Sequence, residues 1–391
     1  MKKVLVSAKT MQPTPYKNGK KPIAGYRRAA AKEVIFAFAL TWVFISASVC
    51  FSDVNLVDVN TRPATGRKNV VYVLPVESEI MYEIETAAFE QAISQYASKN
   101  PGLILVEIDT PGGRVDLAQR MSAAITKTAN CRVIAFIKGG QYGGAISAGS
   151  AIALACNKIY MASNTIIGAA TLLTVSEQKE LGIGERVAIS IDEKMNSMWR
   201  AYLASLAQRN NRPGLMARAM VDRNLEVIEV NDAGKRLFIE PINKQADQQV
   251  VRSWNRSGTL LTLTAQEAVE CSIADGLAGT RDELLRQLGL SDANVVVDKR
   301  IANARKELDI IGRRLAEIRK SLDLKVKQAQ TPQPTPKALA ILRGAKADFE
   351  ILITLAKKYP DLNFDIPQLE NELNSINVAY ENILRESKSR K

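Results

Sequence analysis

Histidine is absent from all 391 residues. Any acid-base or nucleophilic chemistry must therefore run without imidazole, the side chain whose ordinary pKa lies closest to neutrality. That excludes a Ser-His-Asp triad and every His-containing metal site. Cysteine is scarce as well. Cys50, Cys131, Cys156 and Cys271 are scattered without a CxxC pair, which argues against both a zinc site and a dense disulfide framework. Cys50 stands where a lipid-modified cysteine could stand, but Val49 rather than a small residue precedes it, so all four are taken as packing residues. Basic and aromatic residues are not interleaved in the body of the chain, so no nucleic-acid groove is indicated. No metal and no cofactor is expected.

Charge and hydropathy divide the chain. The formal net charge is +12, yet residues 1–33 alone carry nine Lys or Arg against the single acid Glu33, so most of the excess lies in an N-terminal tail. Val34 to Phe51 follow, eighteen residues without a charge. This run is long for a signal-peptide core and just long enough to cross a bilayer. It is read as a membrane anchor, with the basic side in the cytoplasm and the remainder across the membrane. A cleaved signal peptide is the competing reading, because Ser46, Ala47 and Ser48 supply small residues near the end of the run. The charge cluster ahead of it argues against an ordinary buried helix. A linker is assigned to 52–68, and the length as a whole fits about two to three modules.

From Asn69 onward the pattern is α/β. Val70 to Val76, Leu103 to Asp109 and Cys131 to Lys138 read as buried strands, and Lys158 to Ala162 as a short one. Ile80 to Ala97, Val115 to Ala129 and Ile146 to Ala155 read as helices. Strands alternating with helices imply a parallel sheet covered on both faces.

Two glycine features in this stretch carry chemistry. Thr110-Pro111-Gly112-Gly113 follows a strand and precedes a helix, which aims backbone N–H groups outward at the positive end of a helix dipole. Ser147-Ala148-Gly149 places a serine at a Gly-rich strand-to-helix turn, where the hydroxyl is presented and the next N–H faces the same space. A nucleophile and convergent donors are what acyl transfer needs. Each feature alone has a plainer reading, the first as a tight turn and the second as an N-cap.

Taken together the residues resemble a family. Asp109 to Gly113 (DTPGG), Ala145 to Ala170 (AISAGSAIALACNKIYMASNTIIGAA) and Leu263 to Ala278 (LTAQEAVECSIADGLA), in that order, are similar to the membrane-bound serine proteases of the NfeD type. These belong with signal peptide peptidase A in the Clp/crotonase superfamily. The resemblance covers roughly Val70 to Leu290 and implies a Clp/crotonase-like ββα superhelix and a Ser-Lys dyad, in keeping with the missing histidine. It places the nucleophile on Ser147 and the oxyanion glycines on Gly112 and Gly113, with the N–H of Ala148 as a further donor. Ser150 is a decoy by position. The family lysine opens a helix continuing as Ala-Tyr-hydrophobic-x-Ser-Leu-Ala, which here places it on Lys194, ahead of Ala201 to Ala207. Lys179 and Lys158 are the other candidates, more often surface charges by type.

A lysine acts as general base only when largely neutral, which requires lowering a pKa of about 10.4 by about three units through burial. Met195, Met198 and Trp199 are the expected walls. The sequence also departs from the family. The loop before Ser147 reads GGQYGGAI, residues 182–190 suggest an additional strand, and residues 226–263 read as hairpins turning at Asp232-Ala-Gly-Lys and Arg256-Ser-Gly, material that could cap the site.

The resemblance does not extend to the multi-span membrane domain and small β-barrel of long NfeD proteins, and a helical module is expected in the C-terminal part of this sequence instead. Leu308, Ile311, Leu315, Ile318 and Leu322 form a heptad seam within a helix assigned to 291–330, and Thr331 to Pro336 form a Pro-rich hinge. Two more seams follow over 337–391, through Leu342, Ala345, Phe349, Leu352, Ala356 and Tyr359, then Ile366, Leu369, Leu373, Ile376, Tyr380 and Ile383. Each is short, which favours an intramolecular bundle over a long intermolecular coiled coil.

The expectation is a membrane-anchored serine endopeptidase in a bacterial cell membrane, single-pass with its protease domain extracytoplasmic, or exported after signal cleavage. It would cleave apolar segments of membrane or secreted proteins and form at least a homodimer. The alternatives are a catalytically inactive scaffold and a crotonase-like acyl-CoA enzyme, for which no carboxylate beside the cradle and no basic nucleotide rim can be located.

Overall fold

Three of the apolar runs become the centre of a parallel six-stranded sheet. In this computed structural model the described residues are 68–128, 131–172, 193–329, 331–362 and 364–389. The basic tail, the segment 34–51 expected as an anchor, the residues up to 67, the segment 182–190 expected as a strand, and Lys179 lie outside them. Among the described residues no helix is long and apolar enough to cross a membrane.

The large sheet contains β1 (Lys68–Val76), β2 (Pro101–Ile108), β3 (Val133–Ile137), β5 (Lys158–Met161), β11 (Gly276–Leu277) and β12 (Asn294–Val297), in the order β11-β5-β3-β2-β1-β12. Every neighbouring pair runs parallel. Side chains alternate between two cores as the pleat requires. Leu74, Val76, Ile104, Val106, Ile108, Ala135 and Ile137 meet helices α1 (Glu83–Ala97), α2 (Val115–Thr126) and α3 (Ala148–Ala155) on one face. Val71, Val73, Leu103, Leu105, Ile134 and Phe136 meet Leu284 and Leu285 of α7 (Arg281–Gln287) on the other. Burial on both faces is why these strands read as continuous apolar runs.

A second sheet, β10-β6-β4, sits at the carboxyl ends of the parallel strands and is made of three-residue pieces: β4 (Gly144–Ile146), β6 (Ile166–Gly168) and β10 (Thr262–Thr264). Isolated parallel bridges join Ala145 to Thr110 and Gly113 to Ile80, which ties this sheet to the loops leaving β1 and β2. A third, antiparallel sheet contains β7 (Val227–Asp232), β8 (Lys235–Ile239) and β9 (Gln249–Asn255). The hairpin at Asp232 to Lys235 forms as expected, with Ala233 and Gly234 both at positive φ. The Arg256-Ser-Gly turn differs from expectation: it leads from β9 into β10 of another sheet, so it is a crossover and not a hairpin. The helix assigned from residue 291 likewise begins later, because Asn294 to Val297 pair with β1 as an edge strand.

The chain then forms α8 (Arg300–Ala329), α9 (Thr335–Lys358) and α10 (Ile366–Ser389). Ile318, Leu322, Phe349, Leu352, Leu369 and Ile376 share a core separate from those of the sheet. Earlier in the chain, helices α4 (Glu193–Arg209), α5 (Gly214–Ala219) and α6 (Ala265–Glu270) complete the α/β domain. The last opens on a capping box between Thr264 and Glu267.

Candidate active site

Open parallel sheets bind ligands beyond the carboxyl ends of their strands, and Asp109, Gly112 and Ser147 lie together on the loops at that end. Ser147 occupies the single position between β4 and α3, with φ 54° and ψ −121°, a backbone region that a residue with a side chain rarely adopts. Its N–H donates to the Gly168 carbonyl at 2.9 Å, and its own carbonyl accepts from Ser150 N–H at 3.0 Å. The turn is thus held from both sides while the side chain stays half-buried. Ser150 does different work. Fully buried, its hydroxyl bonds the Ala145 carbonyl at 2.9 Å and accepts from Gly168 N–H at 3.1 Å, which locks β4 to β6.

Gly112 lies against this serine. A Cβ added there would stand 2.5 Å from Ser147 Cβ and 3.0 Å from Oγ, at a φ of +105°. Its N–H donates to Thr110 Oγ1 at 3.1 Å and its carbonyl accepts from Ile80 N–H at 2.8 Å. Gly112 therefore supplies room beside the hydroxyl, and its N–H is already engaged. Gly113 is different. In its parallel bridge Ile80 is bonded by the Gly112 carbonyl and by Arg114 N–H, both at 2.8 Å, so the Gly113 N–H points the other way. Neither Gly113 N–H nor Ala148 N–H has an acceptor among the described residues. At Gly113 a Cβ would collide with Ile80 carbonyl oxygen at 2.2 Å, so glycine is required for the bridge itself.

Asp109 is a site residue that motif reading missed. Buried at the end of β2, its carboxylate accepts from Gly144 N–H and Tyr142 N–H, each at 3.2 Å, and so shapes the glycine loop that delivers Ser147. A buried acid directly ahead of a glycine turn was the available signal. Thr110 adds a second brace, donating from Oγ1 to the Ser78 carbonyl at 2.7 Å.

Lys194 lies in the first turn of α4 and is exposed. The expected apolar walls are only partly present: Trp199 is buried, but Met195 and Met198 are 43% and 58% exposed. Helix geometry explains this. The helix packs through Trp199, Leu203, Leu206 and Ala207, one continuous face, and its first turn projects beyond the surface they cover. Trp199 nevertheless ties the helix to the site, since its indole N–H donates to the Ala170 carbonyl at 2.8 Å, two residues past the Gly168 that holds Ser147. Lys158 is engaged elsewhere, 2.7 Å from Asp275. Burial pushes the thiols of Cys156 and Cys271 up to about 12, which suits the packing role assigned to them. Among the described residues no cluster could hold a metal ion.

Comparison with known proteins agrees with the family resemblance. Residues 70–253 match the family model for the NfeD1b N-terminal domain. The chain is 30% identical over 233 residues to membrane protein NfeD1b of Bacillus subtilis, covering 59% of this chain and 44% of that protein. It is 29% identical over 188 residues to the membrane-bound protease PH1510 of Pyrococcus horikoshii, covering 48% and 40%. The chain thus spans under half the length of these curated relatives. Among solved structures, a mutant of the 1510-N membrane-bound stomatin-specific protease is 23% identical with a TM-score of 0.43, covering 59% of this chain and 98% of that one. ClpP1 from Listeria monocytogenes is 13% identical with a TM-score of 0.31, covering 54% and 94%.

Proposed function

We propose that this chain, whose residues 70–253 match the NfeD1b N-terminal domain, is a membrane-associated serine endopeptidase in which Ser147 is the nucleophile and Lys194 the general base. One observation carries the reading. Ser147 sits at φ 54° on a strand-to-helix turn with its side chain against Gly112, and the N–H groups of the next residues along each segment, Gly113 and Ala148, have no acceptor among the described residues. Strained serines on such turns present Oγ to a substrate, and a pair of fixed donors beside one stabilises the oxyanion of acyl transfer. Identity to a relative named as a membrane-bound protease points the same way.

In this mechanism Lys194 takes the proton from Ser147 Oγ, and the oxygen attacks a peptide carbonyl. The N–H groups of Gly113 and Ala148 receive the developing oxyanion. Lys194 returns the proton to the leaving amine, and water releases the acyl group by the reverse sequence. A base of this kind must lose its water to become neutral. Exposed Met195 and Met198 on the same turn offer an apolar substrate segment a surface that would exclude water as it binds. This supports a preference for apolar stretches of membrane or secreted proteins. A single-pass anchor over 34–51, an extracytoplasmic site and a homo-oligomer belong to the same proposal.

The test is labelling by a fluorophosphonate serine probe together with cleavage of apolar peptides. Both should vanish in Ser147→Ala. Both should also be lost in Lys194→Ala and in Lys194→Arg, since a guanidinium cannot become neutral. Labelling that persists in Ser147→Ala removes the assignment; labelling that persists in both lysine variants removes the dyad alone.

A further inference from the structure

The C-terminal helices reach back to the loop that carries Gly113. Between α9 and α10 a single 3-10 turn, Pro360–Leu362, holds Asp361. This residue is far from the site in sequence, yet its side chain is only 10% exposed. One carboxylate oxygen accepts from Arg114 Nη1 at 2.7 Å and the other accepts from the backbone N–H of Glu83. Those two partners lie on the two segments that enclose Gly113. Arg114 directly follows it and donates its own N–H to Ile80; Glu83 opens α1, three residues after Ile80. One anion from the helical module therefore staples the β1–α1 connection to the start of α2, across the bridge that aims Gly113 N–H outward. Burial works against the charge of Arg114, but hydrogen bonds and attraction from Asp116 and Asp361 hold its guanidinium more firmly protonated than usual.

A second tie falls on the same segment. Arg305 of α8 donates to the Glu79 carbonyl at 3.3 Å, pairs with Glu85 and lies over the Tyr82 ring. The exposed ion pairs within the hairpin, such as Lys357 with Glu370, reach no part of the site. The module thus touches the catalytic domain at the loop where a small displacement would misplace an oxyanion donor.

We infer that Asp361 is a positioning residue for the Gly113 loop, acting through Arg114 and the N-terminus of α1, so that docking of the C-terminal helices sets the reactivity of Ser147. The last clause rests on the peptidase reading; the placement of the loop does not. Two measurements on the full chain separate them. Hydrogen–deuterium exchange over residues 110–118 should rise at least about tenfold in Asp361→Ala and by less in Asp361→Asn, which keeps one acceptor. It should stay at the wild-type value in Glu370→Ala, which weakens the hairpin without touching the loop. Fluorophosphonate kinetics should show the limiting labelling rate of Asp361→Ala falling about tenfold with the half-saturating probe concentration unchanged, as expected when a donor aimed at the transition state is misplaced. Adding Arg114→Ala to Asp361→Ala should cost little more. Loop exchange that is unchanged in both Asp361 variants overturns the inference, and so does an equal rise in Glu370→Ala. A wild-type protein that never labels, with loop exchange still responding to Asp361, sinks the peptidase reading and leaves the positioning role standing. Should Asp361→Ala not fold, the Asn variant carries the same comparison.

Discussion

Gly112 and Ser147 are in contact so close that the first has no room for a β-carbon: one built there would come within 2.5 Å of Ser147 Cβ. Gly112→Ala must therefore push back the turn that presents the hydroxyl, and at φ +105° the alanine is strained whatever the space. The expected outcome is a loss of at least about a hundredfold in serine-probe labelling, since misplacement of about 1 Å costs that much. A stability loss of about 1–3 kcal/mol should accompany it. Labelling at the wild-type rate would show that the contact is not felt.

The role of this glycine illustrates what the sequence could and could not show. Thr-Pro-Gly-Gly reads as a turn between a buried strand and a helix, and Ser-Ala-Gly as the start of an apolar helix; the chain folds that way at both places. The engagement of the Gly112 N–H by Thr110 Oγ1 was not legible, because it arises from a local turn whose geometry no spacing rule encodes. The central strands were legible because both their faces are buried. β12 was not, since Asn294 to Val297 is a four-residue edge strand whose three valines remain 37–40% exposed. The seams of α9 and α10 were legible from their spacing, since Phe349, Leu352, Leu369 and Ile376 share one core, which only the later part of the α8 seam, from Leu315 through Ile318 to Leu322, joins. Their docking on Arg114 through Asp361 was not, because a contact between positions 247 residues apart leaves no local pattern.

Trp199 anchors the helix that carries Lys194, with its indole N–H on the Ala170 carbonyl at 2.8 Å and its ring 2% exposed. Trp199→Phe keeps most of the apolar contact but leaves that buried carbonyl without its donor. A destabilisation of about 1–3 kcal/mol follows from the unpaired acceptor. The helix start should also loosen, lowering labelling of Ser147 while Lys194 itself is intact. Denaturant titration reads the first effect and probe kinetics the second; an unchanged midpoint would show that the bond contributes nothing.

Glu85 predicts a pH dependence. Burial raises its pKa from 4.5 to about 7, against the lowering effect of Arg305, and Asp309 adds a smaller raising contribution. A carboxyl whose pKa is higher in the folded state binds its proton more tightly there than when unfolded. Its favourable contribution is therefore complete below pH 4.5, declines as pH rises through the interval up to about 7, and stays lost above it. The melting temperature should fall across that interval more steeply in wild type than in Glu85→Gln, which cannot ionise. Parallel slopes in a calorimetric series from about pH 4.5 to about pH 8 would show that Glu85 does not titrate in this window.

Strain at Ser147 makes a prediction about stability that is independent of any chemistry. A φ of 54° with ψ of −121° costs a residue with a β-carbon about 1–3 kcal/mol, and glycine is spared most of it. Ser147→Ala removes the hydroxyl and keeps the strain, whereas Ser147→Gly removes both. Two opposing effects decide the outcome: relief of folded-state strain favours the glycine, and its greater freedom in the unfolded chain disfavours it by about 0.5–1 kcal/mol. Strain outweighs the entropy loss, so Ser147→Gly should be the more stable of the two variants by about 1 kcal/mol, visible as a higher denaturation midpoint. Elsewhere in α3, replacing buried Ala151 by glycine has no strain to relieve and should destabilise. If Ser147→Gly proves less stable than Ser147→Ala by the margin seen at Ala151, the serine is not held in a strained conformation, and the turn loses the feature that distinguishes a presented nucleophile from an ordinary helix cap.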